Sequence, residues 1–140
     1  MLELPQRMGK RVGLLLLAVF FVGAGVSHFV NAEFFVAIMP PYLPAHLELV
    51  YLSGVFEIVG GGAVLLPALR SLAGWGLILL LIAVYPANIH MALHPELFPD
   101  TPPMAIYGRL PFQLLFILWA WWATRPEPGA STTRARSAGL

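Results

Sequence analysis

Val12-Gly-Leu-Leu-Leu-Leu-Ala-Val-Phe-Phe-Val22 and Leu77-Ile-Leu-Leu-Leu-Ile-Ala-Val84 are runs without a single polar side chain. A helix on the surface of a soluble bundle keeps a polar stripe opposite its apolar one, and neither run has such a stripe. The alternative of a soluble helical bundle therefore loses to a bilayer-embedded one. Working outward, the apolar stretches extend over 12–30, 49–69, 72–93 and 110–124. Crossing about 30 Å of hydrocarbon takes about 20 helical residues. The last stretch is short unless Tyr107, Gly108 and Arg109 prolong it. The reading is an all-α integral membrane four-helix bundle occupying residues 1–125 as one domain.

The composition agrees with this reading. The 140 residues are 59% hydrophobic and 11% charged, where a soluble domain carries about 25% charge. Basic residues accumulate on cytoplasmic flanks. Arg7, Lys10, Arg11, Arg70, Arg125, Arg134 and Arg136 fall on one side of four spans, and Arg109 is the exception. Glu33, Glu48, Glu96 and Asp100 fall on the other side. Both termini are thus expected in the cytoplasm of an inner-membrane protein, with two longer, proline-rich loops facing outward. Gly23-Ala-Gly25 could serve as a signal-peptide cleavage site, but the apolar run continues to Val30 and cleavage would leave three spans. Residues 126–140, rich in Pro, Ser, Thr and Arg, are expected to form a disordered cytoplasmic tail.

The first outward loop contains Glu33 to Met39, apolar enough to lie at the membrane interface, followed by Pro40 and Pro41, which stop a helix. The second loop has a Pro-Pro pair beside Met104, so the chain also reads as a loose tandem of two helix pairs. With no cysteine, thiol chemistry and thiolate metal sites are excluded. No nucleotide or flavin fingerprint occurs, and nothing points to nucleic acid.

Inside the spans the polar exceptions are His28, Glu57, Asn88, His90, Arg109 and Gln113. Counting about 1.5 Å per residue from the cytoplasmic markers, all six lie about 18–24 Å up their helices. Ionisable groups at one depth of a membrane form a functional-site hypothesis. Ser53, Gly54, Glu57, Gly60 and Gly61 share one face of the second span, and small residues there admit a close neighbour. Arg109 and Gln113 share a face of the fourth. His90 stands about 200° round from Asn88, so both reach one centre only if Pro86 rotates the helix. A lone buried carboxylate is costly, and Arg109 is the basic residue at that depth. A Glu57–Arg109 ion pair is therefore expected, with Asn88, Gln113 and a histidine completing the network. That network reads either as a structural knot or as a ligand site. His28 and His90 could form a haem pair, but without a third ligand no metal centre is expected. His46 and His94 read as loop residues.

Gly23-Ala-Gly-Val-Ser-His-Phe29, Ile38-Met-Pro-Pro-Tyr-Leu-Pro44, Tyr51-Leu-Ser-Gly-Val-Phe-Glu57, Tyr85-Pro-Ala-Asn-Ile-His-Met91 and Arg109-Leu-Pro-Phe-Gln113 together resemble the DoxX-like family of small four-helix membrane proteins. The resemblance covers about residues 23–119. It implies the four-helix fold and a polar core of His28, Glu57, Asn88, Arg109 and Gln113. It also implies a link to redox complexes, since the family is named after relatives of a thiosulfate:quinone oxidoreductase membrane subunit. The functional expectation is a redox-associated membrane protein whose outward pocket takes a quinone-like or other small lipophilic ligand. Glu57 and His28 are the candidate catalytic groups, and a partner protein would supply the electron carrier. The alternative is a non-enzymatic lipid-binding or scaffold module, alone or as a homo-oligomer.

Overall fold

The computed structural model describes residues 3–127. Among them the chain is all-helical: α1 (Met8–Val30), α2 (Ala32–Ala37), α3 (His46–Ala63), α4 (Arg70–Leu93) and α5 (Pro103–Thr124), with a short 3-10 turn at Pro95–Leu97. The expected tail, with Arg134 and Arg136, lies from residue 128 onward outside the described residues. Helices α1, α4 and α5 are long and apolar enough to cross a membrane.

Two boundaries differ from the sequence expectation. The second apolar stretch does not stay helical to Leu69, because α3 ends at Ala63. Gly60, Gly61 and Gly62 weaken its last turn, and Pro67 cannot continue a helix while disfavouring helical backbone at Leu66. The remaining 18 residues carry both Glu48 and Glu57, and α3 is not among the helices long and apolar enough to cross. Conversely, α5 begins seven residues before the apolar stretch, at Pro103. Proline suits a first helical turn, where its missing amide has no partner to lose. Arg109 therefore belongs to a continuous helix. His46 is likewise the first residue of α3, its Nε2 3.1 Å from the Pro40 carbonyl.

The long helices pack in the order α1–α3–α4–α5 and back to α1. Glycine decides the closest of these contacts. A Cβ on Gly25 would stand 2.6 Å from the Gly54 carbonyl oxygen, and one on Gly61 would stand 3.1 Å from that of Ala18. These two touching points fix an antiparallel register that brings Glu57 beside His28 on α1. One apolar core, around Leu14, Leu17, Phe21, Leu77, Leu81 and Ala120, fills the end bearing the basic residues. A second, around Ile38, Met91, Phe98 and Ile106, fills the other end. Helix α2 does not stand off as a separate surface segment, because Phe34, Phe35 and Met39 pack against that second core. The two inter-helix connections thus differ, a six-residue α-helix in one and a 3-10 turn in the other, while each helix pair packs closely. Large apolar side chains cover the outside: Val19 is 71% exposed, Leu79 64% and Leu118 60%.

At the basic end the termini are tied together. Lys10 Nζ donates to the Arg125 carbonyl, and Arg70 Nη2 donates to the Glu3 carbonyl at 2.6 Å. The Glu127 carboxylate accepts from the Gln6 and Arg7 amides at 3.1 and 3.3 Å.

Candidate functional site

Between the two apolar cores each long helix turns a stripe of side chains inward at spacings of three or four. Phe20, Ala24 and His28 come from α1, and Val50, Ser53 and Glu57 from α3. Leu81, Val84 and Asn88 come from α4, and Arg109, Gln113 and Phe116 from α5. They enclose a cavity of about 170 Å³, closed on the α2 side by Phe35, Ile38 and Met39. Five of the six polar residues singled out in the spans, His28, Glu57, Asn88, Arg109 and Gln113, border this space. His90 does not. Its ring lies 4.7 Å from that of His94, so Pro86 does not bring His90 round to Asn88. His28 and His90 therefore do not share this cavity. No group of three or more metal-ligating side chains occurs among the described residues.

The expected Glu57–Arg109 ion pair does not form. Glu57 Oε2 lies 3.2 Å from His28 Nδ1. The register explains the exchange of partner. A helical side chain leans toward the helix N-terminus, so His28 reaches back one turn, where it meets Glu57. His28 Nδ1 is also 3.0 Å from the Ala24 carbonyl oxygen. Glu57 Oε2 is buried and without a hydrogen bond. Glu57 as a whole is 6% exposed. The two ion pairs among the described residues, His28–Glu57 and His94–Glu96, leave Arg109 out. The half-buried Arg109 guanidinium instead lies 5.0 Å over the Phe34 ring, a cation–π contact worth about 0.5–1 kcal/mol.

The amide residues bond to each other instead of completing a Glu57–Arg109 network. Asn88 Nδ2 donates to Gln113 Oε1 at 3.0 Å, and Gln113 Nε2 donates to the Leu81 carbonyl at 2.6 Å. This chain ties α4 to α5. The polar layer is thus two unlike halves, a satisfied amide link on one side and an under-satisfied carboxylate and free guanidinium on the other. The cavity's aromatic wall went unread in the sequence. Phe35 stacks on His28 with ring centroids 3.9 Å apart, and Phe20 stacks on Phe116 at 4.5 Å. The signal was present, since Phe20 and Phe116 repeat at helical spacing from His28 and Gln113.

A family model described as a domain of unknown function (DUF8561) matches residues 17–124. The chain belongs to that family. The DUF8561 match runs from the third turn of α1 to the last residue of α5, so it includes every residue of the polar layer and the whole aromatic wall. No curated protein and no solved structure matches the chain.

Proposed function

We propose that this DUF8561 protein is a DoxX-like integral inner-membrane four-helix bundle whose outward-facing polar pocket binds a small lipophilic ligand. The four long helices span the bilayer, with both termini and the basic end cytoplasmic and α2 toward the outside. The shortness of α3 fits this arrangement, since the turn 64–69 completes its path to the basic end. The observation that carries the binding reading is the Glu57 carboxylate. A structural knot satisfies its own polar groups, because an unmatched buried one costs about 1–3 kcal/mol or more when charged. Here the unmatched oxygen belongs to a residue that lines a cavity with aromatic walls, the usual make-up of a small-molecule site: an apolar wall with few polar groups. A quinone-like head fits this description. The redox association itself rests on the resemblance to DoxX-like proteins, and a redox reaction would need a partner carrying the electrons.

The test is to purify the chain in mild detergent, extract it with organic solvent and identify bound lipophiles by mass spectrometry. A defined small amphiphile near one per chain is expected, absent from folded His28→Gln protein. Recovery of bulk phospholipid alone would sink the ligand reading. It would favour the second one, a lipid-binding or scaffold module. A specific feature supports that alternative: an apolar groove of about 450 Å³ between α3 and α4, lined by Phe56, Val59, Leu72 and Leu80 among others.

A further inference from the structure

Charge balance narrows what the pocket takes. Its ionisable groups are Glu57 on α3, His28 on α1 and Arg109 on α5, while α4 contributes Asn88 and α2 only apolar side chains. Arg109 cannot give up its proton, and no carboxylate lies within ion-pair distance of it among the described residues. The guanidinium fork matches a carboxylate in a two-point hydrogen-bonded pair. The cavity volume of about 170 Å³ is close to the roughly 150 Å³ that holds a benzene molecule. The stacked Phe20–Phe116 and His28–Phe35 pairs offer flat walls to a ring.

Resting on the pocket reading above, we propose that the site binds the anion of a one-ring lipophilic weak acid on Arg109. The ligand class is an aromatic or alicyclic carboxylate, its ring against the aromatic walls and its carboxylate on the guanidinium fork.

The experiment uses the full chain in nanodiscs of neutral phosphatidylcholine, titrated calorimetrically with benzoate and with its neutral analogue benzyl alcohol. Benzoate is expected to bind at least about tenfold tighter than benzyl alcohol, the scale of one charge-assisted hydrogen-bonded pair. Arg109→Gln should erase the preference for benzoate, and Arg109→Lys should retain part of it. Benzyl alcohol binding as tightly as benzoate would overturn the anion proposal and leave the pocket reading standing. Equal benzoate binding by wild type and Arg109→Gln would mean that Arg109 serves the bilayer phosphates, and would also overturn it. Failure of both probes, with no lipophile extracted from the protein, would remove the pocket reading as well.

Discussion

Replacing Gly25 by Ala should open the contact on which the polar layer depends. The new Cβ would sit 2.6 Å from the Gly54 carbonyl oxygen and 3.0 Å from the Ile58 amide nitrogen, both backbone atoms of α3. Neither can turn away, so α3 must retreat by about 0.8 Å to reach ordinary van der Waals distance. Overpacking costs about 1–3 kcal/mol, and a backbone obstacle puts this site at the upper end. Alanine's better helix propensity returns about 0.5–1 kcal/mol. The net loss is about 2 kcal/mol. Gly23, two residues away on the same helix, has nothing within 4 Å of its Cβ position, so Gly23→Ala should gain about 0.5–1 kcal/mol. The two single-methyl variants should therefore differ by about 3 kcal/mol, or about 100-fold in the folding equilibrium. Reversible unfolding in mixed micelles, followed by tryptophan fluorescence, measures this difference. Equal stability of the two variants would refute the close α1–α3 contact. It would also remove the register that places Glu57 beside His28.

A double-mutant cycle between His28 and Glu57 should show a coupling of about 0.5–3 kcal/mol. The corresponding cycle between Glu57 and Arg109 should show the smaller coupling, and the reverse order would restore the ion pair that the geometry excludes. Partial desolvation works to raise the Glu127 carboxyl, but the Gln6 and Arg7 amides and the charge on Lys10 outweigh it and hold the group below its ordinary value. A carboxylate with a lowered folded-state pKa stabilises fully above its unfolded pKa and loses that contribution as pH falls through the folded one. Exchange of the Gln6 and Arg7 amide hydrogens, corrected for intrinsic rate, should thus gain protection between acid and neutral pH, and Glu127→Gln should abolish the change. Reporter fusions at Arg70 and at the C-terminus should read cytoplasmic, and those at Ala45 and Asp100 exported. An exported C-terminus would defeat the four-span arrangement.

The apolar runs at 12–22 and 77–84 already determined that the chain is helical and has no water-facing stripe, because hydropathy and its period are properties of each segment alone. The depth count put six residues into one layer, since helical rise is constant; His28, Glu57, Asn88, Arg109 and Gln113 border the cavity, and His90 does not. The end of α3 was legible too, in Gly60–Gly62 and Pro67, though the apolar run masked it. Which residues of the layer touch was a different matter. Opposite charges made Glu57 and Arg109 the natural pair, and electrostatics alone favours it. Tertiary structure chose His28 instead, because Gly25 against Gly54 and Gly61 against Ala18 lock α1 and α3 in a register that sets Glu57 beside His28. Contact between helices depends on sub-ångström fit at those glycines, and a side chain pairs with whatever that fit sets beside it.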